Sequence, residues 1–482
     1  MEPQSSIPPH PYGVEPAGSA FARNLSIAAS RRGLGHLATV DDATVLHALG
    51  YADGAALCAL AIASGALRCF TSSEDLWRAV ALRRAGDDGA ITYCGGSWKQ
   101  SVVGAPRANV AKCLFSDALY HSHRLVHAAP LASSGLGSCA RRRAADLSVD
   151  AFVEDFERAG VPVVIEGGAA DAAARDVWDR DVLQDRLGAR VFHVGGYAFG
   201  LAEFLKYAEN NADDTPLYLF DKRFAEAAPE LAAAYEPPKY FDDDLFGLLE
   251  GRRPDWRWLI VGGTRSGSAW HKDPNGTSAW NATLRGRKRW LFFPPRTTPP
   301  GVRPSADGLD LVAPLSIAEW TRAFYAEAKA HPHFVEAHSG PGDVVFVPRG
   351  WWHCVVNQDA FTVAVTHNFC SPRGLSTTLG LLRRSPHLVS GLVRDERVDE
   401  CDDLDEVAKR AVVGAALHDR LVAALRRRRP DALAATEADL ARPTTMWGRL
   451  VAEPDLVAAG VAPKRARVKD DGASGGFSFG FG

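Results

Sequence analysis

Between residues 218 and 369 the chain passes through short runs rich in Val, Phe, Trp and Thr: YLF, WRWLIV, SAWNATL, KRWLFF, DVVFVP and FTVAVTHNF. Gly, Pro and Asp divide them. β-Branched and aromatic side chains suit a pleated, half-buried surface, and the dividing residues suit turns. This punctuation predicts an all-β sandwich or barrel, interrupted by one helical insertion at 316–330. Upstream, a helix over 149–159 leads into the apolar run 161–165, a short buried strand that Gly167 and Gly168 turn.

The flanks read as helix. Over 34–82 the groups Leu37, Val40, Val45, Leu46 and Leu49, then Leu57, Leu60 and Ala61, then Leu76, Trp77, Val80 and Ala81 predict three or more short helices. Residues 1–30 lack a sustained period and read as a flexible lead-in, and 130–145 (PLASSGLGSCARRRAA) reads as a linker. Helix returns over 375–455, where Val413, Leu417, Leu421, Ala424 and Leu425 keep a three-to-four spacing before Arg426–Arg429 and Pro430. The tail 456–482 carries PKRARVK and GASGGFSFGFG, too poor in apolar residues to pack a core.

Composition excludes several classes. Lys and Arg total 55 against 58 acidic residues, a net charge of −3, which argues against a wholly basic nucleic-acid binder and leaves local contact with nucleic acid undecided. The longest apolar stretch, 55–63, is too short to span a bilayer, and the N-terminus carries neither a basic n-region nor an apolar h-region. Eight cysteines without a CxxC pair predict reduced thiols inside a cell. PKRARVK at 463–469 has the make-up of a nuclear-import signal, so the expected location is intracellular and nuclear, with the cytoplasm as the alternative.

One cluster carries chemistry. In His271-Lys272-Asp273, residues two apart on a strand share a face, so His271 and Asp273 can grip one ion while Lys272 points away. His353 follows the strand-like run 343–348 and supplies a third ligand. Two imidazoles and one carboxylate on one side of an ion suit non-haem Fe(II) working with oxygen. Their residual positive charge favours an anionic chelating co-substrate.

The surrounding stretches, GSAWHKDPNGTSAWNATLRGRKRWLFFPP (267–295) and PGDVVFVPRGWWHCVVNQDAFTVAVTHNF (341–369), resemble the JmjC dioxygenases of the phosphatidylserine-receptor-like branch, described as lysyl hydroxylases and arginine demethylases. TPLYLFD (215–221) and DDLF (243–246) extend the likeness. The resemblance implies an α+β protein whose JmjC double-stranded β-helix, a cupin-type barrel, spans 147–372 with its core at 215–372, followed by a helical extension at 373–455. It implies a 2-oxoglutarate-dependent dioxygenase acting on a protein substrate with basic side chains, using Fe(II), 2-oxoglutarate and O2. It assigns His271, Asp273 and His353 to iron and Lys288 to the distal carboxylate of 2-oxoglutarate. Thr366 and Tyr218 match hydroxyl donors to that carboxylate, Asn281 matches an amide lining the pocket, and Ser268 stands where the family commonly has threonine. His367 falls on the opposite face from Thr366 and Asn368, Cys354 on the opposite face from His353, and Trp351 and Trp352 read as walls.

The 34–100 region, with DLWR (75–78) and SWK (97–99), resembles an F-box. That implies a Skp-type adaptor of a cullin ubiquitin ligase as partner, with Leu34, Leu37, Val45, Leu46 and Leu49 offering one face to spare. The competing class is a non-catalytic reader that recruits the ligase.

Overall fold

The computed structural model describes residues 7–85, 91–104, 114–128, 131, 135–305, 310–314, 316–392 and 404–441; 442–482, with PKRARVK and the Gly/Phe tail, lie outside these. The chain divides into two compact units, one formed by Met1–Asp242, Asp255–Asp273 and Thr277–Phe369, the other by Asp243–Pro254, Pro274–Gly276 and Cys370–Gly482. No described helix is long and apolar enough to cross a membrane.

The first unit holds two facing sheets. Strands β1 (Val14–Glu15) and β2 (Leu114–Phe115) form a small parallel pair. The strands of the large sheet are β3 (Ala140–Arg143), β4 (Val163–Glu166), β5 (Val191–Val194), β6 (Tyr197–Gly200), β7 (Leu219–Asp221), β8 (Arg257–Gly262), β10 (Ser278–Arg285), β15 (Val344–Val347) and β17 (Thr362–Phe369), in the order β3-β4-β15-β10-β17-β8-β7-β5-β6. A four-stranded sheet faces it, made of β9 (Gly267–His271), β11 (Lys288–Phe293), β14 (Val335–Ser339) and β16 (Trp352–Asn357), in the order β14-β11-β16-β9. The strand pair β12 (Arg303–Pro304) and β13 (Leu311–Val312) stands apart. All six β-like runs read from the sequence are strands of these two sheets.

Period-two alternation sorts each strand into an inner and an outer face. Trp290 and Phe292 of β11 and Val355 of β16 meet Ala279, Val345 and Val347 of the large sheet, forming the apolar part of the barrel interior. The alternate residues Leu291, Phe293, Trp352, Cys354 and Val356 face outward under the helix Ile317–Ala330, through its Ile317, Ala318 and Trp320. The outer face of the large sheet, through Trp280, Ala282, Val344, Phe346, Val363 and Val365, belongs to a core that also takes in the N-terminal helices. The chain thus places polar residues at chosen inner positions, while the outer faces are apolar apart from the buried Arg289, paired with Glu336 at 2.7 Å, and His367, bonded to Tyr235.

The N-terminal helices Asp42–Leu49, Gly54–Ala63 and Gly65–Phe70 begin where Asp41, Asp53 and Ser64 accept a backbone N–H from three residues on. Glu74–Ala85 follows and buries Trp77, whose Nε1 donates to Thr71 O at 2.6 Å. These helices share a core with the barrel rather than forming a separate bundle: Trp98 and Tyr93 pack on Tyr207 with ring centroids 5.2 and 5.0 Å away.

Three expectations are corrected. The lead-in is structured from residue 7 onward where described, because Tyr12 and Val14 are buried and β1 pairs with β2. Part of the expected linker is β3, which pairs in parallel with β4. Arg141 holds it there, meeting Glu166 at 2.7 Å, Asp343 at 3.3 Å and His338 O at 2.7 Å. Such anchoring is ionic and leaves no hydrophobic period to read. Lastly, Leu34, Val45 and Leu49 are buried and Leu46 packs on the core, so of the five leucine and valine positions only Leu37, 40% exposed, stands open.

In the second unit, helices Leu375–Arg384, Glu406–Arg428 and Pro430–Ala441 gather Leu379, Leu382, Leu417, Leu421 and Leu425 against Leu245, Phe246 and Leu249.

Candidate active site

His353 lies on β16 directly opposite His271 on β9, the last residue of that strand. Asp273 stands two residues further, past the strand end, so chain direction and not strand alternation brings it back toward the histidines. The three offer ligand atoms that all lie within 4.8 Å of one another, the one such cluster among the described residues. His271 and His353 have ring centroids 4.1 Å apart, and His353 Nε2 is 4.0 Å from Asp273 Oδ1.

Backbone carbonyls orient both rings. His271 Nδ1 donates to Ala269 O at 2.7 Å and His353 Nδ1 to Trp351 O at 3.2 Å, which leaves each Nε2 with a lone pair directed at the cluster. Burial, with the second imidazole adding to it, holds His271 well below the usual imidazole range, and burial takes His353 down to about 4. Both are neutral at pH 7, the form that binds metal. Burial pushes Asp273 up to about 6 although His271 and the Asn368 amide oppose the shift. Asp273 Oδ1 accepts from Asn368 Nδ2 at 3.5 Å, whereas its buried Oδ2 has no hydrogen-bond partner. A buried carboxylate oxygen without a partner, beside two imidazole lone pairs, is what a cation site requires. Asn368 also donates to Thr277 Oγ1 at 3.1 Å.

Further into the barrel, Lys288 begins β11 and is 1% exposed. Its Nζ donates to Tyr218 Oη at 3.0 Å, and burial alone pulls the ammonium down to about 7, with no carboxylate offsetting it. Burial likewise raises Tyr218 well above the ordinary phenol range, against a hydrogen bond from Asn357. A buried ammonium short of an anion, with donors left over, fits the carboxylate of a small acid.

Asn281 on β10 pairs in register with Val345 and Thr366, and therefore lies on the inner face; its buried Oδ1 has no partner. Thr366 shares that face, but its hydroxyl donates to Trp280 O at 2.9 Å. Ser268 lies on β9, paired with Val355, and is partly exposed. All eight residues singled out in the sequence therefore stand on or beside strands of the two facing sheets.

The outward-facing residues have other partners. Lys272 turns away, donating to Pro295 O at 3.0 Å and lying over the Trp352 ring at 4.6 Å. His367 meets Tyr235 Oη at 2.8 Å and packs on Trp280. Cys354 is buried and its thiol is pushed up to about 12 by burial, so it is inert.

Two inner residues escaped the sequence reading. Asn357 pairs with Lys288 and packs beside Tyr218, and it stands four residues after His353 on one strand, so the alternation could have revealed it. Trp258 lies beside Thr366 on β8 and stacks on Phe220 with centroids 5.5 Å apart. No spacing rule marks it out.

Two facing sheets with a His-Asp-His cluster between them define a cupin-like domain, and the cupin-like family model matches residues 149–373. The arginine-specific demethylase JMJ22 of Arabidopsis thaliana is 36% identical over 409 residues, 82% of this chain and 80% of the relative. The bifunctional arginine demethylase and lysyl-hydroxylase psr-1 of Caenorhabditis elegans is 38% identical over 267 residues, 51% of this chain and 66% of the relative. The lysine-specific demethylase JMJ21 of Arabidopsis thaliana is 34% identical over 356 residues, 70% of this chain but 37% of the relative. The chain belongs to the JmjC family of cupin-like oxygenases.

Proposed function

We propose that this protein is an Fe(II)- and 2-oxoglutarate-dependent oxygenase acting on a basic side chain of a protein, by lysyl hydroxylation or arginine demethylation. The observation that carries the reading is the pairing of two incomplete sites in one barrel. One is the triad with the unpartnered Asp273 Oδ2; the other is the buried Lys288 ammonium without an anion. The names of JMJ22 and psr-1 support the substrate chemistry.

In this reading His271, Asp273 and His353 hold iron, and Lys288 holds the distal carboxylate of 2-oxoglutarate with Tyr218 beside it. Iron with 2-oxoglutarate and O2 supplies the oxidation, which yields succinate, carbon dioxide and one oxygen atom for a substrate C–H bond. The chain's own residues prepare it. The backbone carbonyls of Ala269 and Trp351 fix the imidazole orientations, and Asn368 holds one oxygen of Asp273. Trp290 and Phe292, with ring centroids 6.4 and 6.3 Å from that of His353, form an apolar wall beside the triad that would exclude water from an ion held there. Asn281 lines the interior, and Thr366 reaches the co-substrate only after releasing Trp280 O.

The test incubates the purified full chain with Fe(II), 2-oxoglutarate and lysine or methylarginine peptides. Succinate should form together with peptide oxidation. Peptide binding without succinate would favour the non-catalytic reader.

A second reading concerns partners. Helix Gly54–Ala63 is apolar all round, yet only Gly54 and Leu57 are buried; Ala55, Ala56, Ala59 and Ala63 are exposed and Ile62 is 80% exposed. A helix of this kind normally has both faces covered. This face is where we place the Skp-type adaptor. Ile62→Lys should abolish capture of purified adaptor by the full chain and leave succinate formation unchanged. We also propose a nuclear location on the strength of PKRARVK, tested by whether deleting 463–469 moves a fluorescent fusion out of the nucleus.

A further inference from the structure

The loop between β8 and β9 contains Arg265, whose φ of 72° is a left-handed conformation that a residue with a side chain keeps only when its surroundings hold it. The holding contacts are identifiable. The guanidinium donates to Asn211 O at 3.1 Å and Asn211 Oδ1 at 3.3 Å and reaches Asp213 O at 3.5 Å, while the backbone N–H donates to Asn357 O at 3.1 Å.

Bonded groups lead away from this arginine in two directions. Toward the N-terminal helices, the buried Asp213 carboxylate accepts from Tyr207 Oη at 2.6 Å and Trp98 Nε1 at 3.1 Å. It also faces Arg78 at 3.6 Å, which in turn donates to Thr215 O at 2.9 Å. Toward the barrel, Asn357 Nδ2 donates to Ser266 Oγ at 3.0 Å, and Ser266 Oγ donates to Gly263 O at 2.6 Å. Asn357 and Tyr218 pack together around Gly262, and the Tyr218 hydroxyl accepts from Lys288 at 3.0 Å. There is no slack in this arm: a Cβ on Gly262 would stand 2.3 Å from Ser266 Oγ and 2.8 Å from both Asn357 Nδ2 and Tyr218 Cδ2.

We propose that Arg265 is a positioning residue for the co-substrate end of the barrel, through which the N-terminal helices set the placement of Tyr218 and Lys288. The proposal rests on the reading that Lys288 receives 2-oxoglutarate. Its physical basis is a continuous series of groups from Arg78 to Lys288, joined by hydrogen bonds and, between Asn357 and Tyr218, by close packing at Gly262. The N-terminal helices are then part of the enzyme's working structure as well as a surface for partners.

The test uses the full chain and three variants. Arg265→Gly removes the guanidinium while easing the left-handed backbone, so loss of fold is not expected. Asp213→Asn removes the charge shared with Arg78, and Lys288→Ala reports on the site itself. Calorimetric titration of 2-oxoglutarate into Mn(II)-loaded protein measures co-substrate affinity, and Mn(II) affinity and the KM-against-kcat split are measured alongside. Arg265→Gly and Asp213→Asn should weaken 2-oxoglutarate binding about 5- to 20-fold, with Mn(II) affinity and saturated kcat within about twofold of the parent. Unchanged co-substrate affinity in folded Arg265→Gly, beside a large loss in Lys288→Ala, would overturn the proposal and leave the site assignment standing. Unchanged affinity in Lys288→Ala would overturn the assignment and the proposal with it.

Discussion

Replacing Lys288 should separate what this residue does for the fold from what it does for the co-substrate. The ammonium is 1% exposed with Tyr218 Oη as its hydrogen-bond acceptor, and burial brings it from 10.5 to about 7. A displacement of that size corresponds to roughly 4–5 kcal/mol of instability below pH 7, where the lysine is charged in both folded and unfolded chains. From pH 7 to about 10 the unfolded lysine is charged and the folded one neutral, so the unfolded chain binds more protons and stability rises with pH. Lys288→Met removes the charge and keeps the length. In the absence of ligands the variant should therefore melt higher than the parent at pH 7, with the gap closing toward pH 10. The ordering reverses for co-substrate. Loss of a charge-assisted pair in a closed pocket costs roughly 2–4 kcal/mol, so the apparent KM for 2-oxoglutarate should rise at least about 30-fold while metal affinity holds. The assays are differential scanning fluorimetry across pH and steady-state kinetics over 2-oxoglutarate concentration. A variant that melts lower at pH 7, or that loses metal affinity in step with co-substrate affinity, would refute the reasoning.

Other perturbations address separate parts of the account. His271→Ala should abolish metal binding and succinate release together, with metal content read by elemental analysis; retained turnover would contradict the triad. Arg141→Ala breaks a half-buried clamp on Glu166 and Asp343 and should cost about 2–3 kcal/mol in chemical denaturation; no loss would mean that β3 contributes nothing as a strand. In native protein, iodoacetamide should label the exposed Cys94 and spare the buried Cys139 and Cys354, both pushed up to about 12, until the chain is unfolded. Peptide mass mapping reads this out, and native labelling of Cys354 would show that β16 does not bury it.

Much of the site was legible because strand alternation and motif spacing act locally. From KRWLFF and FTVAVTHNF the sequence already separates Thr366 from His367, and the structure directs His367 to Tyr235 and Trp280. What escaped depends on contacts distant in the chain. Arg141 reads as a linker residue until Glu166 and Asp343, 25 and 202 residues away, are seen to clamp it. Asn357 lies on the face that alternation from His353 marks, but its place beside Lys288 of β11 and Tyr218, just before β7, shows only in the folded chain. In the N-terminal region the periodicity located the helices but not their open face. The face left uncovered belongs to Gly54–Ala63, where uniform apolarity gives no direction to read.

The measurement closest to the central claim is a coupled mass-spectrometric assay on the purified full chain, with Fe(II), 2-oxoglutarate and matched lysine and methylarginine peptides. Succinate should appear in step with one peptide product. Gain of an oxygen atom on lysine would identify a hydroxylase, and loss of a methyl group with formaldehyde would identify a demethylase; either should vanish in His271→Ala. Iron-loaded protein that binds the peptides and forms neither succinate nor a modified peptide would contradict the account.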